Sequence, residues 1–282
     1  MSAWLPTAPC TPEDCVADPS PVAGGARQVL RAVGGATVLL TGVALAPAVQ
    51  ACCGPALRQR LVRRWALLLL ASLGVRVRVG PVPAAEGGVL VVSNHVSWLD
   101  IPLIAAVGPG RMLAKSEVRG WPVLGPLTVR LGTLFIDRDR LRTLPRTVGE
   151  IAAALGRGER VVVFPEGSTW CGRRGGRFRP ALFEAAVRAG AAVQPVRVGY
   201  RLPDGSTATV AAFVGDDGLP ASLRRVVAAR GLVAEVAFLP PVPAAAHEGR
   251  RALARAAQAA VLGGPTAPAV EESAGHRSLR AA

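Results

Sequence analysis

The chain has 282 residues, of which 50% are hydrophobic and 18% charged, so it is long and apolar enough to fold around a sizeable core. Its formal net charge of +14 comes almost wholly from arginine, because Lys115 is the only lysine. A basic surface suits nucleic acid, acidic lipid headgroups or phosphorylated substrates. Aromatic residues make up only 4% of the chain and no nucleic-acid-binding motif is present, so we expect no nucleic-acid partner.

The five cysteines predict reduced thiols in a reducing compartment. They form an odd-numbered set without the paired CxxC spacing that is typical of a zinc site. Their positions are Cys10, Cys15, Cys52, Cys53 and Cys171. We therefore expect no metal ion bound by protein side chains.

The N-terminal quarter of the chain divides into a segment without an apolar core and an apolar segment. Residues 1–26 are rich in Pro, Ala and Asp and lack an apolar core, which predicts a disordered leader. No charged residue occurs between Arg31 and Arg58. This stretch exceeds the ~20 residues that cross a bilayer. Glycines and prolines interrupt it, however, and leave a strong apolar centre only from Ala36 to Ala48.

Residues 27–74 are predicted to form membrane-associated helices, arranged as a hairpin. The second apolar run, from Trp65 to Val75, is too short to span a bilayer and follows a basic cluster. Arginines beside an apolar helix are attracted to an anionic lipid surface by about 1 kcal/mol each. The cluster consists of Arg58, Arg60, Arg63 and Arg64. Two alternatives stay open, namely a delayed signal peptide that ends near Cys52 and two ordinary core helices.

Residues 75–262 are predicted to form one α/β domain, because strand-like and helix-like patterns alternate along them. The strands are expected at Val75–Val79, Val89–Val92, Met112–Ala114, Thr133–Ile136, Val161–Phe164, Val193–Val198 and Val233–Leu239. Helical periodicity is clearest over Leu141–Leu155, Ala181–Ala189 and Gly249–Leu262. Strands separated by helices imply a mixed, largely parallel sheet flanked by helices. Residues 263–282 are expected to be a disordered tail.

A histidine and an aspartate stand five residues apart directly after the strand at Val89–Val92. His95 and Asp100 lie in the segment NHVSWLD, and neither of the other two histidines has an acidic or nucleophilic motif beside it. Side chains five apart on a straight helix point about 140° away from each other. A hydrogen bond between them therefore requires a turn into the helix, which Asn94 or Ser97 would form or cap.

With that turn, the pair has the parts of an acid–base site. Asp100 would accept from one imidazole nitrogen and leave the other to take a proton from a substrate hydroxyl. His95 is then the candidate general base, because histidine titrates near neutral pH. The alternative is a histidine at the start of a helix with an unrelated surface aspartate.

Two further strands end in residues that suit an anion. Arg138 closes the segment GTLFIDR, and its planar guanidinium donates two hydrogen bonds to one phosphate. In the segment FPEGST, Gly167 permits a turn whose amide hydrogens face an anion, and Ser168 and Thr169 add donors. Glu166 would contact hydroxyl groups or hold an arginine. Taken singly, the two segments are equally consistent with a surface ion pair and a polar turn.

The sequence lacks the motifs that define two common classes of enzyme. There is no GxSxG nucleophile elbow and no P-loop lysine motif. A serine hydrolase and a P-loop nucleotidase are therefore disfavoured.

Taken in order, these segments resemble the sequence blocks of the lysophospholipid acyltransferase family, typified by bacterial 1-acyl-glycerol-3-phosphate acyltransferases. The first three blocks are NHxSWLD, GxxFIDR and FPEG followed by Ser or Thr. A fourth, an apolar strand centred on proline, matches VQPV around Pro195. The segments KSE, beginning at Lys115, and WPVLG also resemble the stretch between the first two blocks. The resemblance covers about residues 65 to 240.

The resemblance implies roles for these residues. His95 would be the general base and Asp100 its orienting partner. Pro195 would help to form the acyl-donor site. The acceptor's phosphate or glycerol would bind Arg138, Glu166 and Gly167, and the further expected substrate contacts are Asn94, Ser97, Lys115, Ser168 and Thr169.

The implied reaction is direct acyl transfer at a membrane surface. An acyl-CoA or acyl carrier protein thioester is the expected co-substrate, a lysophospholipid is the acceptor, and no cofactor is required. Direct attack by the acceptor alkoxide explains why no serine or cysteine nucleophile is needed. The expected location is the cell membrane, with the catalytic domain on its cytoplasmic face and a role in phospholipid biosynthesis. A non-catalytic, arginine-rich membrane-binding protein is the alternative from another class.

The chain departs from the family pattern in the third block. The family continues with Thr-Arg-Ser after Glu-Gly, whereas this chain has Ser-Thr-Trp-Cys, so an arginine expected to bind phosphate is missing. Arg173, Arg174 or Arg177 would replace it from the following glycine-rich loop. Alternatively, the acceptor is not 1-acyl-sn-glycerol-3-phosphate but another lysolipid, such as lyso-ornithine lipid.

Overall fold

The structure is a computed structural model that describes residues 8–17, 21–83, 87–122, 124–138, 140–263 and 277–279. Within these residues the strands join one sheet in the order β4-β3-β5-β2-β6-β7-β1-β8. Their bounds are β1 Arg76–Val79, β2 Val89–Ser93, β3 Arg111–Lys115, β4 Leu134–Ile136, β5 Arg160–Val163, β6 Ala192–Arg201, β7 Val233–Phe238 and β8 Arg277–Leu279.

The sheet is mixed and mostly parallel, which confirms the predicted fold class. β2 pairs in parallel with both β5 and β6, and β3 pairs in parallel with β4 and β5. The antiparallel pairs are β6 with β7 and β1 with β8. All five residues of β2 are buried, as expected for a central strand that is covered by helices on both faces.

Helices pack on both faces of the sheet. Their bounds are α1 Pro12–Cys15, α2 Gly25–Cys52, α3 Pro55–Ser72, α4 Asp100–Val107, α5 Leu124–Arg130, α6 Leu144–Gly156, α7 Phe183–Ala189, α8 Leu219–Ala228 and α9 Gly249–Leu262. One core cluster holds Leu70 of α3 and Leu103 of α4. The other cluster holds Ile151 of α6, Phe183 of α7 and Leu253 of α9.

The predicted helical hairpin is formed by α2 and α3. A Cβ atom on Gly42 of α2 would lie 2.1 Å from Nε1 of Trp65 in α3, so glycine permits this close approach. The same Nε1 donates to the Val38 carbonyl oxygen at 2.9 Å. Ala66 and Leu70 of α3 are fully buried against the domain. The hairpin is therefore docked through α3, and α2 forms its outer helix.

Part of the predicted disordered leader is folded against the domain. The amide of Ala17 donates to Oγ1 of Thr209 at 3.1 Å, and the amide of Ala23 donates to the Ala228 carbonyl at 2.8 Å. Cys10 and Ala23 are each only 3% exposed. Isolated small apolar residues thus anchor this segment, although its sequence has no continuous apolar run. Residues 1–7 and 18–20 of the predicted leader lie outside the described residues.

The predicted disordered tail also differs from the structure where the structure describes it. Strand β8 pairs with β1 at the edge of the sheet, which supplies backbone hydrogen-bond partners that composition does not reveal. The remainder of this tail beyond Gly263 lies outside the described residues.

Candidate active site

Three of the sequence blocks follow strands of the same sheet. The NHVSWLD segment follows β2, Arg138 follows β4, and the FPEGST segment follows β5. These strands belong to one parallel array, in which β3 joins β4 to β5 and β5 adjoins β2. Because the carboxyl ends of parallel strands lie at one edge, the blocks converge there.

His95 and Asp100 form the hydrogen bond that the sequence predicts. Nδ1 of His95 lies 2.7 Å from Oδ2 of Asp100, and Asp100 is the first residue of α4. A turn brings them together, with the Asp100 amide donating to the Ser97 carbonyl at 3.1 Å. Because an aspartate accepts, Nδ1 carries the proton and Nε2 is the basic nitrogen. The imidazole also stacks on Phe164, with ring centroids 4.0 Å apart.

Asp100 is completely buried and satisfied by four donors. Besides His95, it accepts from the amides of Val96 at 2.7 Å and Ser97 at 2.9 Å, and from the Tyr200 hydroxyl at 2.5 Å. Burial, followed by the charge of Asp100, holds the pKa of Tyr200 well above its ordinary value, so this phenol remains a donor. The carboxylate is thus fixed before any ligand binds, and it fixes the histidine ring in turn.

Glu166 joins the histidine turn to the glycine-rich loop. Its Oε2 accepts from the His95 amide and its Oε1 from the Gly176 amide, both at 2.7 Å. The side chain is only 3% exposed. Burial raises the pKa of Glu166 to about 7, although the two amides oppose that shift and Asp100 adds to it. In this structure Glu166 therefore orients two backbone segments, the histidine turn and the glycine-rich loop.

Arg138 and Thr169 hold the turn that contains Gly167. Nη1 of Arg138 donates to the Gly167 carbonyl oxygen, and the Thr169 hydroxyl donates to the Phe213 carbonyl oxygen. Gly167 has a φ of +75°, which favours glycine. Burial lowers the pKa of Arg138, with Glu117 acting in the opposite direction, but an arginine stays charged at neutral pH. The turn thus lies beside a fixed positive charge.

A cleft of about 2140 Å³ opens at this edge of the sheet. The predicted site residues that line it are His95, Lys115, Arg138, Gly167, Ser168 and Thr169. The predicted residues that lie behind its wall are Asn94, Ser97, Asp100, Glu166 and Pro195. Oδ1 and Nδ2 of Asn94 bond the backbone of Val198 at 2.8 Å each, and Pro195 pairs with Val92 inside the sheet. These two residues shape the site from within the sheet.

Two residues of the site were not identified from the sequence. Tyr200 lies in β6, a hundred residues after Asp100, and no local motif marks it. Arg179 lines the cleft, and its amide donates to the Pro165 carbonyl at 2.8 Å. The three arginines that the sequence suggested as phosphate ligands are exposed and absent from the lining. They are Arg173, Arg174 and Arg177.

Comparison with known proteins places this architecture among acyltransferases. A family model described as Acyltransferase matches residues 75–199. A lyso-ornithine lipid O-acyltransferase of Pseudomonas aeruginosa is 42% identical over 217 residues, which cover 75% of this chain and 82% of that protein. A 1-acyl-sn-glycerol-3-phosphate acyltransferase of Neisseria meningitidis serogroup B is 39% identical over 200 residues, which cover 71% of this chain and 78% of that protein.

A solved structure shares the fold. The crystal structure of the 1-acyl-sn-glycerophosphate acyltransferase PlsC from Thermotoga maritima superposes with a TM-score of 0.65 at 20% identity. The match covers 84% of this chain and 93% of that chain. At this identity the likeness concerns the fold alone.

The buried carboxyl of Glu166 generates a test of stability against pH. Its pKa is raised to about 7 in the folded chain, so folding favours the protonated form and stability is lost as pH rises from about 4.5 to 7. A Glu166→Gln variant lacks this titration. We expect its free energy of unfolding, relative to wild type, to increase by up to about 3 kcal/mol between pH 4.5 and 8.

Unfolding of the detergent-solubilised protein at several pH values measures this difference. Glu150→Gln is the control, because Glu150 is 43% exposed on α6, and it should follow wild type at every pH. Parallel curves of unfolding free energy against pH for wild type and Glu166→Gln would contradict the raised pKa of Glu166.

Proposed function

The chain belongs to the lysophospholipid acyltransferase family, and we propose that it transfers an acyl chain from a thioester to the free hydroxyl of 1-acyl-sn-glycerol-3-phosphate, giving phosphatidic acid. The observation that carries the proposal is the 2.7 Å contact between Nδ1 of His95 and the buried carboxylate of Asp100. This contact leaves Nε2 of His95 free to accept a proton. The His95 side chain lines the cleft and is 20% exposed. Among relatives, the Neisseria meningitidis protein is named for this acceptor.

The proposed reaction needs one general base. Nε2 of His95 takes the proton of the acceptor hydroxyl as its oxygen forms a bond to the thioester carbonyl carbon. The carbon–sulfur bond then breaks, and the imidazolium returns the proton to the departing thiolate. Asp100 stays ionised throughout and stabilises the imidazolium, as its four donors allow.

We propose that the acyl donor is a thioester of CoA or acyl carrier protein, and that no further cofactor takes part. Both carriers bear phosphate groups, and the cleft lining is rich in cationic side chains. These are Arg58, Arg63, Arg111, Lys115, Arg130, Arg138, Arg160, Arg179, Arg250 and Arg251. We also propose that Pro195, which lies inside β6, helps to form the acyl-donor site by shaping that strand.

Membrane association of the N-terminal helices is part of the proposal. Helix α2 has 28 residues and is long and apolar enough to cross a bilayer, and only 11% of its most apolar window is buried. Apolar side chains project from it, among them Leu30, Val33 and Leu40. Arg60 and Arg64 are exposed on the adjoining α3. We infer that the hairpin meets the cytoplasmic face of the membrane, where thioester donors and the lysolipid acceptor are both within reach.

A second acceptor, lyso-ornithine lipid, is favoured by one observation. Where the family has an arginine after Glu-Gly and one further residue, this chain has Thr169, whose hydroxyl donates to the Phe213 carbonyl oxygen. The side chain at this position thus holds the loop and offers no charge to a phosphomonoester. The Pseudomonas aeruginosa relative is named for the lyso-ornithine acceptor.

Removal of the proposed base is the first test of the mechanism. We expect His95→Ala to lower kcat by about 10²- to 10⁴-fold, since general-base catalysis contributes that much. Asp100→Asn should also lower kcat, because a neutral amide no longer selects the tautomer in which Nε2 is basic. Acceptor-dependent thiol release by the purified, detergent-solubilised protein measures both. His247→Ala, outside the cleft, should keep wild-type turnover. Wild-type turnover by a folded His95→Ala variant would exclude His95 as the base.

The acceptor is tested with paired arginine variants. Arg179 lines the cleft and Arg177 does not, although both are exposed and only two residues apart. If the headgroup phosphate contacts Arg179, Arg179→Ala should raise KM for 1-acyl-sn-glycerol-3-phosphate by about tenfold or more, as loss of one charge-assisted hydrogen bond predicts. Arg177→Ala should not change it. A panel that includes lyso-ornithine lipid identifies the preferred acceptor, and equal KM values for both variants would remove Arg179 from the headgroup site.

Vesicle binding tests the membrane surface. Arg60→Gln/Arg64→Gln removes two exposed charges from α3, and each is worth about 1 kcal/mol near an anionic bilayer. We expect binding to anionic vesicles in a sedimentation assay to weaken up to about thirtyfold, with no change for neutral vesicles. Arg142→Gln/Arg146→Gln removes two exposed charges around the start of α6 and should leave binding unchanged. Equal losses from both pairs would show a non-specific charge effect instead.

A further inference from the structure

Three of the five cysteines come together at one point beside the cleft. The Sγ atoms of Cys10, Cys15 and Cys171 all lie within 4.8 Å of one another. Two of these residues come from the N-terminal segment and the third from the loop after the FPEGST segment, more than 150 residues away. Cys10 and Cys171 are each 3% exposed and belong to the larger core cluster. A group of three thiols, with Cys10 and Cys171 buried and Cys15 half-buried, is therefore a feature of the tertiary fold.

The distances between the three sulfur atoms are close to those between the thiolate ligands of a metal site. Zinc–sulfur bonds of about 2.3 Å in a tetrahedral site place the sulfurs about 3.8 Å apart. The present separations need to shorten by about 1 Å at most, which side-chain rotation about χ1 accommodates. Soft thiolate ligands select Zn²⁺ and Cu⁺ over harder cations.

The loop around Cys171 is shaped to stabilise a thiolate. Gly172 has a φ of +83°, and the amides of Arg173 and Arg174 that follow it donate to the Cys171 sulfur. Burial alone would raise the pKa of Cys171, but these amides and the neighbouring thiols lower it below its ordinary value.

We propose that Cys10, Cys15 and Cys171 bind a soft d¹⁰ metal ion, Zn²⁺ or Cu⁺, as three thiolates. Binding releases the three thiol protons and forms three metal–sulfur bonds, with no change in oxidation state. Among the described residues no other His, Cys, Asp or Glu ligand atom joins the group. A small exogenous ligand therefore completes a tetrahedral Zn²⁺ site, whereas Cu⁺ is satisfied by the three sulfurs. This site is separate from the acyl-transfer chemistry and does not depend on it.

The bound ion would clamp the N-terminal segment against the cleft. Ala8 and Thr11, on either side of Cys10, line the cleft. Trp170, directly before Cys171, donates to the His95 carbonyl at 2.7 Å. Metal binding thus ties a wall of the cleft to the loop that supports the histidine turn. The segment is also held by the hydrogen bond from the Ala17 amide to Oγ1 of Thr209 and by packing of Ala8 and Val16 against the core.

Metal stoichiometry of the full-length chain tests the site. The detergent-solubilised protein is loaded anaerobically with Zn²⁺ or, in a separate arm, Cu⁺, desalted and analysed by elemental mass spectrometry. We expect about one ion per chain in at least one arm. Cys52→Ser/Cys53→Ser, which removes the two cysteines at the end of α2, is the matched control and should bind equally. Cys10→Ser/Cys15→Ser/Cys171→Ser should retain almost none.

A measurement on the unmodified chain guards against variants that fail to fold. Co²⁺ titration should produce a near-ultraviolet thiolate-to-metal charge-transfer band that saturates at about one equivalent and disappears when Zn²⁺ is added. The comparison of the two loading arms shows whether zinc or copper is preferred. Absence of the band, or equal metal content in wild type and the triple variant, would overturn the proposal.

Discussion

The arrangement of the site depends on a single buried carboxylate. Asp100 is fully excluded from water, and an ionised carboxylate in that environment is tolerated only when its oxygens are hydrogen-bonded. Its four donors come from the histidine turn and from strand β6. Satisfying this one group therefore fixes the turn between β2 and α4, the tautomer of His95, and the distance from that turn to β6. The acid–base geometry follows from the cost of burying the charge.

The parallel sheet determines what else reaches this carboxylate. β2 is central and buried, and it lies between β5 and β6, so the turn that follows β2 lies over the middle of the sheet edge. Glu166 couples the neighbouring segments, because one of its oxygens holds the His95 amide and the other holds the Gly176 amide. Its buried position makes it a support for backbone conformation. Cationic side chains, by contrast, line the cleft itself, among them Lys115, Arg138 and Arg179.

Short apolar runs and the His–Asp spacing carried most of the predictive information in the sequence. Each of the seven predicted strands is present. Short apolar runs bounded by turn residues are too short for a helix and are therefore reliable predictors of buried strands. Six of the eight residues of helix α4 are buried, and the helix has no polar face. It therefore lacks the alternation of apolar and polar residues from which a helix is predicted. Tyr200 and Arg179 reach the site only through the pairing of β6 and the path of the loop. The cysteine cluster was hidden for the same reason, because its third member is supplied by tertiary structure.

The loop after the third block is where this chain departs from its family, and the proposed headgroup preference depends on it. Its start is fixed by Arg138 on the Gly167 carbonyl, and its middle by the Trp170 amide on the His95 carbonyl. These contacts use backbone atoms, so the side chains at these positions are under little constraint from the acid–base pair. Thr169 stands where the family has an arginine, so the loop loses a positive charge while the His95–Asp100 hydrogen bond stays in place. We propose that headgroup preference then rests on cations supplied from outside the turn, such as Arg179, while the reaction at the hydroxyl is unchanged.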